Sequence, residues 1–108
     1  MAKKLRSRSR KAAPQRRVVR RTALIVNQRG LHARAAARMA KLAERFSPKI
    51  TVSANGICVS ALSIMGLMLL AAGPGTAVEI AAAGRDAEDA VAALAALVEA
   101  GFDEEPVQ

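Results

Sequence analysis

The longest stretch without a charged side chain covers residues 50–78, and the way it is divided constrains the fold most. A run of this length could span a bilayer as one helix. However, Asn55-Gly56 is a strong hairpin signal and Gly73-Pro74-Gly75 predicts a loop. The uninterrupted piece, residues 57–72, falls short of the roughly 20 apolar residues that a spanning helix needs. We therefore expect strands and a short helix here, with no membrane insertion.

The composition allows one domain with a core built almost entirely from aliphatic side chains. The chain has 108 residues, 52 % of them hydrophobic but only 2 % aromatic, which is enough apolar material for a single core. Its one cysteine, Cys58, permits no intramolecular disulfide and no thiolate zinc site. We therefore expect a cytoplasmic protein in which Cys58 is a small core residue.

Positive charge is concentrated at the N-terminus. Residues 1–21 hold ten Lys and Arg and no acid, whereas the rest of the chain holds seven basic and nine acidic side chains. We expect residues 1–17 to be a disordered basic extension, since they offer almost nothing to bury, and residues 18–108 to be the folded domain. Two interpretations of the extension stay open: an arm that binds nucleic acid through its phosphates, or a segment that is not translated because synthesis starts near Val18.

Hydrophobic periodicity predicts alternating strands and helices along the domain. A β-rich run predicts a strand over residues 18–26, followed by a helix over residues 33–46 that Ser47-Pro48 ends. The apolar stripe predicted for this helix consists of Ala36, Met39, Ala40, Ala43 and Phe46. Strands over residues 49–53 and 57–60 follow, joined at Asn55-Gly56.

The C-terminal half continues this alternation. Ser63 is placed to cap a short helix that ends near Leu70, and a strand follows over residues 76–82. Asp86 and Asp89 have the spacing of an N-cap and its third helical residue, and Gly101 is placed to end this last helix. The order β-α-β-β-α-β-α, with a hairpin in the middle, predicts an α+β domain whose helices cover one face of an antiparallel sheet.

The segment Gly30-Leu31-His32-Ala33-Arg34 is the strongest candidate for chemistry. It joins the first strand to the first helix, so His32, the only histidine, lies where helical amides are unpaired and the helix dipole is positive. This is an anion site, and Arg34 adds a guanidinium suited to phosphate oxygens. A neutral imidazole here can attack a phosphoryl group and later release it. No acidic residue lies nearby in sequence to orient the ring, and a surface histidine that merely caps a helix stays the alternative.

Two motifs resemble the phosphocarrier family HPr of the phosphoenolpyruvate-dependent phosphotransferase system. Gly30-Leu31-His32-Ala33-Arg34 resembles its active-site signature, and Ser63-Ile64-Met65-Gly66-Leu67-Met68 resembles the signature around its regulatory serine. The resemblance covers about residues 20–102. It implies an open-faced β-sandwich, in which three helices cover one side of a four-stranded antiparallel sheet.

The resemblance also implies how the protein works. Enzyme I would phosphorylate His32 on Nδ1, and an enzyme IIA-type protein would then receive the group. The chain would be a monomeric carrier rather than an enzyme, with no metal or cofactor. Arg34 would stabilise the phosphate together with the backbone amides of Ala33 and Arg34. One departure is that Ala35 stands where the family usually has proline, a residue that stiffens the first helical turn.

A second surface is predicted around the short helix. Ser63 caps this helix, and the resemblance implies that an HPr kinase phosphorylates it. More apolar side chains follow Ser63 than one short helix can bury, so some are expected to form an exposed docking patch beside His32, with burial of all four as the alternative. The predicted docking residues are Ile64, Met65, Met68 and Leu69, with Arg38 and Lys41 from the basic face of the first helix (Arg34, Arg38, Lys41 and Arg45).

The final acceptor of the phosphoryl group depends on the branch of the family. The ending Gly101-Phe102-Asp103-Glu104-Glu105 and the run Leu67-Met68-Leu69-Leu70 resemble the nitrogen-regulatory branch, which is therefore favoured. Sugar-transport HPr proteins share the same chemistry and are the alternative. Two functions of other classes stay open: a nucleic-acid-binding protein that acts through its basic extension, and a regulatory binding module in which His32 is idle.

Overall fold

Strands whose side chains alternate between buried and exposed form the sheet of this protein, for which a computed structural model describes residues 17–104. The strands are β1 (Val18–Leu24), β2 (Lys49–Ala54), β3 (Ile57–Ser60) and β4 (Ala77–Ala83). In β2 every second residue, namely Ile50, Val52 and Ala54, is buried, as expected for a strand with one face on the core. The four strands form one antiparallel sheet in the order β1-β4-β2-β3.

The register places β4 in the middle of the sheet between β1 and β2. Val19 of β1 and Ile50 of β2 both lie opposite Ala82 of β4. The predicted hairpin at Asn55-Gly56 joins β2 to β3, and both of its residues have positive φ, 53° and 81°. This is the conformation that makes Asn-Gly a preferred two-residue turn.

Three helices pack on one face of the sheet and complete the core. They are α1 (Ala33–Ala43), α2 (Ile64–Leu69) and α3 (Ala87–Glu99), and a 3-10 turn (Gly101–Asp103) follows the last helix. The helix α3 lies on β1 and β4, and α1 packs against both other helices. The buried stripe of α3 consists of Ala87, Ala90, Val91, Leu94, Ala95 and Val98. The structure confirms the predicted α+β fold, an open-faced sandwich of four antiparallel strands and three helices.

Several local predictions are confirmed, and the first helix is shorter than expected. In α1, Ala36, Met39, Ala40 and Ala43 are buried, but the helix ends at Ala43. Phe46 therefore lies beyond the helix, where it is half-buried and packs against the core. Gly101 follows the C-cap of α3 with φ +67°, the left-handed conformation of a helix-ending glycine.

One prediction about an individual side chain is wrong, and another is confirmed only for the position of the residue. Cys58 is exposed rather than a core residue, because it lies directly opposite Ser53 on the sheet face that no helix covers. Asp86 occupies the N-cap position of α3, but its side chain makes no capping bond. Its backbone is left-handed, with φ 66°, and its carboxylate accepts a hydrogen bond from the Ser47 hydroxyl at 3.4 Å instead.

The predicted basic extension lies outside the described residues, apart from Arg17. Among residues 17–104, the longest helix is the 13-residue α3, and no helix of that part of the chain is long and apolar enough to cross a membrane.

Candidate functional site

The loop before α1 lies directly against the segment that follows α2. The amide of Leu31 donates to the carbonyl of Ala72 at 2.9 Å. Gly30 has φ +66°, and a Cβ atom there would lie 2.5 Å from the Ala72 oxygen and 2.9 Å from Gly73 Cα. Only glycine combines this backbone conformation with such a close approach. This contact thus joins the loop that carries His32 to the segment that follows α2.

The N-terminus of α1 presents unpaired amides next to an imidazole. His32 is the N-cap residue, with extended backbone, and its side chain makes no capping hydrogen bond. Its carbonyl accepts the first helical hydrogen bond, from the Ala36 amide at 2.8 Å. The amides of Ala33 and Arg34 precede that bond and so have no partner within the helix. These unpaired N–H groups form the positive end of the helix dipole, which suits an anion.

The imidazole of His32 has an acidic partner that sequence analysis missed. Its Nε2 forms a short hydrogen bond with a carboxylate oxygen of Glu104, a residue 72 positions away in sequence. Both side chains are only 15 % exposed, so this pair is shielded from water while the ring keeps some access to solvent. No residue close to His32 in sequence could have indicated the contact. The fold creates it by bringing the turn after α3 to the start of α1.

A buried amide holds the Glu104 carboxylate in place. Asn27 Nδ2 donates to Glu104 Oε1 at 3.1 Å and to the carbonyl of Gly30 at 2.9 Å. Burial raises the pKa of Glu104, but hydrogen bonds from His32 and Asn27, with the charges of His32 and Arg29, lower it by more, so this pKa lies below its usual value. Glu104 is therefore ionised at neutral pH.

The turn that carries Glu104 is itself anchored. Phe102 is fully buried in the core, and its carbonyl accepts a short hydrogen bond from the Arg38 guanidinium. Arg38, predicted as a docking cation, thus joins α1 to this turn. Gly101 packs close to Asn27, since a Cβ atom there would lie 3.5 Å from Asn27 Cβ. These contacts fix the position of Glu104 relative to His32.

Three arginines line a cleft beside the pair. The cleft has a volume of about 590 Å³, and Arg29, Arg34 and Arg38 line it together with Asn27 and Glu104. Arg34 is the phosphate ligand predicted from the sequence, whereas Arg29 is not among the predicted site residues. Guanidinium groups offer paired donors for phosphate oxygens. A larger cleft of about 840 Å³, near Ser47 and Gly84, contains none of the predicted site residues.

The apolar patch predicted on the short helix is on the surface. Only Leu67 of α2 is buried. The exposed fractions are 41 % for Ile64, 77 % for Met65, 44 % for Met68 and 68 % for Leu69. Burial of all four side chains, the alternative interpretation, is therefore wrong. Because α2 packs against α1, this apolar patch and His32 belong to neighbouring elements.

Ser63 has the capping role predicted for it. Its Oγ accepts a hydrogen bond from the amide of Gly66 at 2.9 Å, and the residue is exposed. A Cβ atom at Gly66 would lie 2.9 Å from this Oγ. The glycine therefore leaves room for the serine side chain to reach the helix amide.

Comparison with known proteins adds an independent observation. Residues 19–100 match the family model described as "PTS HPr component phosphorylation site". The chain is 44 % identical over 87 residues to the phosphocarrier protein HPr of Cupriavidus necator, covering 81 % of this chain and 98 % of that protein. It is also 44 % identical over 80 residues to the phosphocarrier protein NPr of Shewanella violacea, covering 74 % and 88 %. Among solved structures, HPr-C-His from Thermoanaerobacter tengcongensis superposes with a TM-score of 0.76 at 42 % identity, covering 81 % of this chain and 98 % of that one.

Proposed function

The chain belongs to the HPr family of phosphocarrier proteins, and we propose that His32 accepts a phosphoryl group from phosphorylated enzyme I and passes it to an enzyme IIA-type protein. As a member of this family the chain is a carrier of the phosphotransferase system rather than a turnover enzyme. The observation that carries the proposal is the position of His32, an imidazole at the N-cap of α1 that leaves the helix amides free. Such a relay operates in the cytoplasm, and we assign the protein there, as a monomer.

The neighbouring groups suit each part of the transfer. The imidazole attacks phosphorus as a nucleophile. The amides of Ala33 and Arg34 and the guanidinium of Arg34 bind the oxygens of the arriving group, because each offers a donor to negative charge. Ala35, where the family usually has proline, is fully buried and removes no group from this set. Arg29, which also lines the cleft, adds positive charge on the approach path.

Docking of both partners is assigned to the apolar patch of α2 together with the cations of α1. Exposed Ile64, Met65, Met68 and Leu69 lie beside the helix that carries His32. Methionine adapts its shape to different surfaces, which suits a carrier that must bind a donor and an acceptor in turn. Lys41 and Arg38 of α1 are exposed and would attract an acidic partner.

We assign the chain to the nitrogen-regulatory branch rather than to sugar transport. Support comes from two segments that resemble this branch, the ending Gly101-Phe102-Asp103-Glu104-Glu105 and the apolar run Leu67-Met68-Leu69-Leu70. The assignment is tested by offering the phosphorylated chain to a nitrogen-type and a sugar-type enzyme IIA in separate reactions. Faster transfer to the nitrogen-type acceptor is expected, and faster transfer to the sugar-type acceptor would reverse the assignment.

Phosphorylation of Ser63 by an HPr kinase is part of the proposal. The hydroxyl is exposed and lies at the edge of the apolar patch. A phosphate there adds about two negative charges, which would oppose docking of partners that bind the patch. Incubation with an HPr kinase and ATP should therefore modify the wild-type chain but not Ser63→Ala, and unmodified wild-type protein would remove this role.

The proposal is tested by incubating the full chain with phosphoenolpyruvate and enzyme I and measuring its intact mass. We expect one added phosphoryl group that is lost on acid treatment, and none in His32→Ala. Arg45→Ala is the matched control, since Arg45 is an exposed residue just beyond the end of α1. Uptake by His32→Ala would refute the site. No uptake by the folded wild-type chain would favour the regulatory module in which His32 is idle.

A further inference from the structure

We propose that Glu104 is a positioning residue that directs the phosphoryl group to Nδ1 of His32, by holding the ring proton on Nε2. The inference concerns a residue that the family match does not cover, because that match ends at residue 100. It rests on the proposed function for the identity of the reaction. The contact between the side chains of Glu104 and His32 is observed in the structure and does not depend on that function.

The first step of the argument is the hydrogen bond itself. A neutral imidazole has one N–H donor and one nitrogen with a free lone pair, and the bond made by one nitrogen decides the state of the other. An ionised carboxylate only accepts hydrogen bonds. Since Nε2 of His32 is bonded to the Glu104 carboxylate, Nε2 carries the proton. The lone pair is then on Nδ1, which is the nucleophile.

The second step is that the fold restricts the position of the Glu104 carboxylate. Glu104 uses its other oxygen to accept from Asn27, a residue only 8 % exposed. The turn before it is tied to α1 through Arg38 and the Phe102 carbonyl. A surface carboxylate would lose side-chain entropy to make such a contact, whereas here the surroundings have already restricted it.

The third step follows the charges through the transfer. As the bond from Nδ1 to phosphorus forms, the bond from phosphorus to the leaving atom of the phosphorylated donor breaks, and its electron pair stays with the donor. The proton on Nε2 is not released, so the ring gains positive charge. The Glu104 carboxylate lies on that proton and stabilises the charge. This is the arrangement in which a buried carboxylate orients a catalytic imidazole and stabilises the imidazolium.

The test uses phosphoramidate, a small phosphoryl donor that phosphorylates histidine without a partner protein. The two phosphohistidine isomers are distinguished by ³¹P NMR in wild type, Glu104→Ala and Glu104→Gln. The matched control is Asp103→Asn, which removes a carboxylate from the same turn at an exposed position with a backbone that Asn tolerates, φ 60°.

We expect the wild type and Asp103→Asn to form the Nδ1 isomer alone, and Glu104→Ala to form both isomers. Glu104→Gln loses the charge that stabilises the imidazolium, so it should react about tenfold more slowly, the difference between a charged and a neutral hydrogen bond. A merely structural role would lower the melting temperature without changing the isomer ratio.

The Nδ1 isomer alone in Glu104→Ala, at the wild-type rate, would overturn the inference. If Glu104→Ala does not fold, an unchanged rate in Glu104→Gln overturns it as well. Because phosphoramidate needs no docking, these results are independent of enzyme I. A wild-type chain that reacts selectively with phosphoramidate but takes nothing from enzyme I would contradict the proposed function and leave the role of Glu104 intact.

Discussion

Replacing Gly30 with alanine should separate the two segments that meet at the site. The added Cβ atom would lie 2.5 Å from the Ala72 oxygen, and the backbone there has φ +66°. To relieve the overlap, the loop before His32 must move away from Ala72. That movement breaks the hydrogen bond from the Leu31 amide to the Ala72 carbonyl.

The magnitude follows from adding these effects. A left-handed backbone costs a non-glycine residue roughly 1–2 kcal/mol, and loss of the hydrogen bond costs about 0.5–1.5 kcal/mol more. With some lost packing, Gly30→Ala should lower the free energy of unfolding by about 2–4 kcal/mol. Gly56→Ala is the matched control, because Gly56 has φ +81° but nothing within 4 Å of a new Cβ atom. This control should lower the free energy of unfolding only by the cost of the left-handed backbone, roughly 1–2 kcal/mol.

Thermal unfolding and phosphate uptake together test this reasoning. A difference of one kcal/mol shifts the melting temperature of a domain this size by about 4–8 °C, so Gly30→Ala should melt at least that far below Gly56→Ala. It should also take up phosphate from enzyme I more slowly, since His32 follows the displaced loop. Equal melting temperatures for the two variants, with equal uptake, would show that the contact with Ala72 is unimportant.

Four further outcomes are expected. Arg34→Glu should slow phosphate uptake at least about tenfold, since it removes a charged hydrogen bond worth roughly 1.5–3 kcal/mol, and unchanged kinetics would remove Arg34 from the site. Met65→Asp, at a side chain 77 % exposed, should weaken binding to enzyme I with little change in melting temperature, whereas Leu67→Ala in the core should lower the free energy of unfolding by about 2–5 kcal/mol. A lower melting temperature for Met65→Asp with unchanged binding to enzyme I would show that the patch is not a docking surface. The pKa of Glu104 is lowered in the folded protein despite burial, so the ionised carboxylate stabilises the fold fully only above the pKa that it has in the unfolded chain. The wild type should therefore lose its stability advantage over Glu104→Gln as the pH falls below about 4. An advantage that does not change with pH would contradict this. A chain that begins at Val18 should keep its melting temperature and phosphate uptake but lose any salt-sensitive binding to duplex DNA, and equal DNA binding by both forms would exclude a nucleic-acid arm.

Local patterns in the sequence predict most of the fold. The hairpin at Asn55-Gly56, the cap at Ser63 and the glycine after α3 each depend on the backbone preferences of one or two residues. The buried stripe of α1 follows from helical spacing. These signals act over a few residues, which is why they can be recognised without a structure. The prediction for Cys58 is wrong because β3 shows no clear alternation of apolar and polar residues, and only the pairing of Cys58 with Ser53 defines its face.

The candidate site is predictable only in part. His32 and Arg34 stand out because a helix start creates an anion site whatever the rest of the chain does. The partner of the imidazole cannot be found in this way, since Glu104 is 72 residues distant and belongs to no periodic pattern. Asn27 is not among the predicted site residues, although it is buried and its two hydrogen bonds connect the loop before α1 to the C-terminal turn. Such long-range polar contacts arise from the tertiary fold.

A transfer experiment with isolated phosphorylated protein tests the carrier role most directly. The chain is phosphorylated by enzyme I, separated from enzyme I and phosphoenolpyruvate, and mixed with an enzyme IIA-type acceptor, and the intact masses of both proteins are followed with time. The phosphoryl group should leave His32 and appear on the acceptor in equal amount. A stable phosphorylated chain beside an unmodified acceptor, or loss of the group to water alone, would contradict the proposal that this protein is a carrier.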